Sequence, residues 1–170
     1  MAGQPDEVDI VNLLAEHEHA IGRLYRAYAS RFPQYHDFWS KLADEEDQHA
    51  NWLRRLLARV EEGLGCVRPD RFDRSAVEAS IRHVKQRIEQ AAKRGFSPEE
   101  ALRTAMGIED TLLEAEYFEV FEGTAAEVAQ VQYCLADAAE NHCRRIKGMI
   151  SSLGQTRGTH SAPGTNSGPG

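Results

Sequence analysis

Five ionisable residues stand where the surrounding pattern calls for apolar ones: Glu18, Glu46, His49, Glu109 and His142. Glu18 lies between Leu14 and Ile21, with Tyr25 following. Glu46 and His49 lie between Leu42 and Leu53, and Glu109 between Met106 and Leu112–Leu113. His142 lies between Leu135 and Ile146. An unpaired carboxylate on a buried stripe costs several kcal/mol, so it needs a cation or a proton. Glu46 and His49 are three residues apart, about one helical turn, so both can reach one ion. Carboxylate oxygen with imidazole nitrogen, and no thiolate, suits Fe(II) or Mn(II). The five are therefore candidate metal ligands.

Helices must position them, because apolar spacing follows a three-to-four rhythm nearly everywhere. A first helix carries Ile10, Leu13, Leu14, Ile21, Leu24, Tyr25 and Tyr28, and Phe32-Pro33 breaks it. A second runs through Phe38, Leu42, Trp52, Leu53, Leu56 and Val60 to Gly63 and Gly65. A connector over 66–73 leads to a more polar third helix, Ser75 to about Lys93, closed by Gly95. Ser97-Pro98-Glu99-Glu100 has the form of a capping box with proline in the first turn. The fourth helix then carries Leu102, Ala105, Met106, Leu112, Leu113, Val120 and Phe121 to Gly123. The fifth carries Val128, Val131, Leu135, Ala138, Ala139, Ile146, Met149 and Ile150. Strand-period alternation is absent. The pattern predicts an all-α four-helix bundle of two antiparallel helical hairpins, with the polar helix as crossover. Residues 1–6 are expected as a flexible N-terminus, 7–153 as the bundle, and the Gly/Ser/Thr/Pro-rich 154–170 as a disordered tail.

Residues equidistant from a hairpin turn lie at one height. The midpoint of 18 and 46 is 32, at the Phe32-Pro33 break; that of 109 and 139 is 124, beside Gly123. Glu18, Glu46 and His49 should therefore converge in the first hairpin, and Glu109 with positions 139 and 142 in the second. Leu42-Ala43-Asp44 to His49 also aligns with Leu135-Ala136-Asp137 to His142, as though the hairpins were halves of a duplicated unit.

The bulk numbers narrow the function. With 170 residues, one domain is expected. A net charge of −7 argues against nucleic-acid binding. No apolar run approaches the roughly 20 residues that cross a bilayer, so no membrane association is expected. The polar start Met1–Asp9 is unlike a signal peptide, and a cytoplasmic location is expected. The cysteines Cys66, Cys134 and Cys143 form no Cys-x-x-Cys pair, so the chain offers no rubredoxin-type iron site or zinc ribbon.

Taken together, the chain resembles the rubrerythrin-like branch of the ferritin-like family over about residues 8–152. The resemblance rests on Glu18 with Tyr25, Tyr28-Ala29…Phe32-Pro33, Phe38-Trp39…Leu42-Ala43, Glu46-x-x-His49-Ala50, and Glu109 in Ala105-Met106-Gly107-Ile108-Glu109. Such bundles supply one Glu from each of two helices and Glu-x-x-His from each of the others, for two irons. By resemblance, Glu18 is a terminal ligand of a first iron, His49 its imidazole, and Glu46 a bridge; Glu109 and His142 belong to a second. The family pattern wants Glu at 139, where this chain has Ala139. A full first site with a weak or empty second is expected. Glu140 and Asp137 face elsewhere, and Cys143 is not taken as a substitute.

The resemblance implies peroxide reduction or Fe(II) binding and oxidation, as a homodimer or higher oligomer with an external electron donor. The competing expectation is a non-catalytic bundle that kept its fold and acts as a binding or scaffold module. Among other polar residues, Glu16, His17 and His19 form a cluster by composition but must point to different faces. Glu114 and Glu116 read as solvated or supporting groups, and Asp44–Asp47 is otherwise an exposed acidic face. Tyr25, Tyr28 and the tryptophans read as core, and Cys134 and Cys143 as small buried hydrophobes.

Overall fold

A computed structural model describes residues 5–114, 120–122 and 126–158. Five helices dominate: α1 (Pro5–Arg31), α2 (His36–Glu61), α3 (Arg74–Ala91), α4 (Pro98–Glu114) and α5 (Ala126–Gly158). The helices α1, α2, α4 and α5 form an all-α ferritin-like bundle, and α3 is the crossover lying along α1.

Local chemistry explains the boundaries. Asp6 and Glu7 sit in the first turn of α1, where the helix dipole favours anions. Phe32, restricted by the proline after it, leaves the helical region at φ −124° and ψ 77°. A single 3-10 turn over Pro33–Tyr35 then reverses the chain into α2. That helix ends in a Schellman closure: Gly63 N–H donates to Val60 O at 2.9 Å and Leu64 N–H to Arg59 O at 3.0 Å. Gly63 has φ +80°, which glycine adopts without strain. Asp73 caps α3 by accepting Ala76 N–H at 3.0 Å. The capping box at α4 is reciprocal. Ser97 N–H donates to Glu100 Oε2 at 2.8 Å, and Glu100 N–H to Ser97 Oγ at 3.2 Å.

The core is continuous through the bundle and includes Leu14, Ile21, Leu24, Leu42, Leu53, Leu102, Leu135 and Ile146. Tyr25, Tyr28 and Trp39 fill the end near the first turn, with the Tyr28 and Trp39 rings edge-on at 5.0 Å. Val77, Ile81 and Val84 give α3 its buried face. Helix α2 comes close to the backbone of α1 at Gly22. A Cβ there would stand 3.2 Å from Ala43 O and 3.4 Å from Glu46 Cβ.

Three expectations need correction. The fourth helix does not carry Val120 and Phe121 on its stripe to Gly123. Helix α4 is described to Glu114, and Phe121–Glu122 form β2, which pairs antiparallel with β1 (Cys66–Val67). Both Val120 and Phe121 are buried, and burial alone cannot tell a helix end from a short strand. Strand is thus present, as a two-residue ribbon tying the α2–α3 connector to the α4–α5 connector. Helix α5 also continues through Gly154 to Gly158, and Pro5 and Asp6 are already helical. The rest of the expected flexible ends, 1–4 and 159–170, lies outside the described residues. No helix among the described residues is long and apolar enough to cross a membrane.

The close approach at Gly22 has a measurable consequence. Gly22→Val forces α1 off α2 at the level of Glu46 and should destabilise the fold by about 1–3 kcal/mol. Urea unfolding followed by far-ultraviolet circular dichroism measures this; an unchanged midpoint would mean that the helices have room to spare.

Candidate metal centre

Each hairpin delivers its ligand candidates to one depth. Helix α1 supplies Glu18, α2 supplies Glu46 and His49, α4 supplies Glu109, and α5 supplies His142. All five residues are buried, none more than 5% exposed. They form two groups, Glu18–Glu46–His49 and Glu46–Glu109–His142, that share Glu46. Within each group, one ligand atom per residue lies within 4.8 Å of the others. Donors on one first-row divalent ion sit about 2.1 Å from it, hence at most about 4.2 Å apart.

The two halves mirror one another around Glu46. His49 Nδ1 lies 3.0 Å from Glu46 Oε2 and 3.4 Å from Glu18 Oε2. His142 Nδ1 lies 3.0 Å from Glu46 Oε1 and 3.2 Å from Glu109 Oε1. The imidazole rings face one another in a stacked arrangement, centroids 5.3 Å apart. Each Glu46 oxygen thus addresses a different histidine. Although close to His142, Glu46 Oε1 lacks hydrogen-bond geometry to it and has no hydrogen-bond partner. An orphaned carboxylate oxygen, fully buried among nitrogen and oxygen donors, is what a hard or borderline cation would satisfy. The donor set fits iron or manganese.

Without a cation, protons hold the cluster together. Burial alone would lower the His49 pKa, but hydrogen bonds to Glu18 and Glu46 and their charges outweigh it and push it up to about 10. For His142, burial is likewise outweighed by Glu109 and Glu46, and its pKa rises to about 11. Burial, reinforced by the Glu46 charge, raises Glu18 despite its bond to His49. Burial and the Glu109 charge also push Glu46 up, yet the imidazoles of His142 and His49 beside its two oxygens carry it below the usual range. Two more groups bear on the centre. Tyr25 donates its hydroxyl proton to Glu109 Oε1 at 2.6 Å, and burial next to that carboxylate raises its own pKa well above normal. Glu45 Oε2 accepts from His142 Nε2 at 2.9 Å and pairs with Arg145.

A model of the rubrerythrin family matches residues 14–127 of this chain. The chain belongs to the rubrerythrin family. The matched span holds Glu18, Glu46, His49 and Glu109; Ala139 and His142 lie beyond it, so the match does not bear on the alanine departure. Comparison with curated proteins returns no match, and neither does comparison with solved structures. The family suggests a metal cofactor, typically iron.

The remaining polar candidates disperse as their helical positions require. Glu16 reaches Lys85 at 3.1 Å, His17 Nε2 lies 2.8 Å from Ser80 Oγ on α3, and His19 Nδ1 lies 2.9 Å from Asp47. The Glu114 side chain and all of Glu116 fall outside the described residues. Ala139 is buried, Asp137 and Glu140 are exposed, and Cys143 donates weakly to Asp110 Oδ1 at 3.6 Å. Burial and the neighbouring Glu109 and Asp110 charges push the Cys143 thiol up to about 12, which suits an inert sulfur.

Sequence reasoning missed Glu45, which it grouped with an exposed acidic face. Its side chain is only 25% exposed and reaches across to α5. The available signal was its place at the edge of the α2 stripe, with Arg145 one turn after His142.

The two histidines set a pH dependence. In the metal-free fold they hold protons to about pH 10 and 11, against 6.5 for an unperturbed imidazole. The folded state therefore binds more protons throughout that window, and stability should fall as pH rises from about 7 toward 10. Urea midpoints of the metal-free protein at stepped pH measure this. A midpoint that rises over the range would contradict the assignment.

Proposed function

We propose that this rubrerythrin-family chain binds two iron ions and uses them in peroxide or dioxygen chemistry, or in the oxidation and handling of Fe(II). One observation carries the reading. The buried Glu46 carboxylate turns one oxygen to His49 Nδ1 and the other to His142 Nδ1, each at 3.0 Å. Glu18, Glu46 and His49 would hold one ion, and Glu46, Glu109 and His142 the other. Manganese would take the same donors. Bound iron would supply the redox chemistry.

The protein's own part is positional. Burial excludes bulk water from the carboxylates, so their charges act at full strength on whatever they hold. Tyr25 fixes the orientation of Glu109 through its hydroxyl proton. A groove of about 540 Å³ between α2 and α5 reaches His49 and His142 from outside, past Lys41, Glu45, Trp52 and Asp137. A small oxidant would approach the imidazole side of the centre through it. Electrons would come from an external donor. A cytoplasmic homodimer or larger oligomer completes the proposal.

The second reading is a non-catalytic relative serving as a binding or scaffold module. Ala139 favours it, because an apolar side chain stands where the resemblance calls for a carboxylate.

Anaerobic reconstitution with Fe(II), followed by elemental analysis, separates the two. About two irons per chain are expected. Glu46→Ala should lose most of both, because it removes a ligand from each group. Bound metal should also raise the melting temperature by mass action, and a chelator should reverse the rise. Metal well below one per chain, with melting indifferent to chelator, would select the scaffold reading. Ala139→Glu adds a further arm: a gain of peroxidase turnover absent from the wild type would mark the native second position as deficient for catalysis.

A further inference from the structure

The two histidines are alike on the inside of the cluster and unlike on the outside. A histidine that ligates through one ring nitrogen commonly donates the other N–H to a carboxylate or carbonyl, which fixes the ring and strengthens it as a donor. His142 has this support. Its outer nitrogen, Nε2, lies 2.9 Å from Glu45 Oε2, and Arg145 holds that same oxygen from α5. His49 has none: its outer nitrogen finds no hydrogen-bond partner among the described residues, and its ring rests against Trp52 at 5.3 Å. The supported histidine belongs to the half that carries Ala139 instead of a carboxylate.

We propose that Glu45 is a positioning residue for the second metal position, compensating from behind the His142 imidazole for the carboxylate missing at Ala139. This rests on the two-ion reading above. Glu45 reaches no ligand atom of the cluster except through His142. With its oxygen on Nε2, the ring is held with Nδ1 toward Glu46 and Glu109, the orientation in which it can donate to an ion. Arg145 keeps Glu45 turned toward α5 instead of into the groove it borders. The first position has no such dependence. The two positions should therefore respond differently to changes at residue 45.

Co(II) titration of the metal-free full chain, read by calorimetry and visible absorption, tests this. Wild type should take up about two equivalents. Glu45→Ala should weaken one of them by about 10- to 100-fold and leave the other within about threefold. Glu45→Gln, whose amide oxygen can still accept the Nε2–H, should recover much of the loss. His142→Ala should weaken the same equivalent, and adding Glu45→Ala to it should cost nothing further. The inference is overturned if Glu45→Ala leaves both affinities unchanged, weakens both together, or is additive with His142→Ala. The last two results would mark Glu45–Arg145 as an interhelix clamp only. Wild type binding fewer than two Co(II) would instead remove the two-ion reading, and this inference with it.

Discussion

A carboxylate at 1% exposure between two imidazoles imposes a condition on the whole bundle. Glu46 is tolerable only while partners from other helices stand at its depth. His49 is on its own helix, but Glu18 comes from α1, Glu109 from α4 and His142 from α5. If any helix slid by one turn, about 5.4 Å, its ligand would leave the cluster and a charge would be stranded in apolar packing. Apolar contacts alone tolerate such shifts far better, since one leucine fills another's place at modest cost. The polar cluster thus selects one register from several that the core would accept. The turn at Phe32–Tyr35, the close approach at Gly22 and the ribbon joining the two connectors all serve that register.

The two halves share a plan but differ in execution. Each offers one private carboxylate, one Nδ1 and a shared oxygen of Glu46. By count of donors, neither half is poorer in this structure. The difference lies in what stands behind the donors. Tyr25 and Glu45 both support the half containing Glu109 and His142, whereas His49 is braced by an aromatic ring. Supporting polar groups have gathered around the half with the alanine. That distribution has a physical logic: with no carboxylate at position 139 to add to the set, more rests on the orientation of the donors present.

Much of this was legible because two periodicities coincide in one place. The helical rhythm of apolar residues made Glu18, Glu46, His49, Glu109 and His142 conspicuous, and the Phe32-Pro33 break set the first hairpin's height. The second hairpin was less transparent. Its turn was placed at Gly123-Thr124, yet α4 is described only to Glu114 and a strand intervenes. The ligand heights still agree, since Glu109 and His142 meet at 3.2 Å. Height depends on the register between α4 and α5, which side-chain packing sets, and not on how the connection is made. The β1–β2 ribbon could not be read because two residues on each side carry no alternation, and their pairing spans over fifty positions. Glu45 was hidden for a different reason. Periodicity ranks residues by the direction of Cα–Cβ, whereas a long side chain at a stripe's edge can turn either way.

The protonated histidines answer how such a cluster survives before any cation arrives. With His49 and His142 charged, the two imidazolium groups stand among Glu18, Glu46 and Glu109 and offset carboxylate repulsion in the metal-free fold. The arrangement is pre-formed, and an incoming ion need not reorganise helices. It would, however, have to displace the protons from both Nδ1 atoms, because a nitrogen carrying a proton has no lone pair to give. On the proposed function, protons and metal would be alternative occupants of one network. The network stabilises the empty bundle by the same contacts that it must surrender on loading. Glu46 Oε1 is the exception, a buried oxygen that the protons leave without a hydrogen bond. A cation between the two groups would satisfy it, and it sits at the point the two groups share.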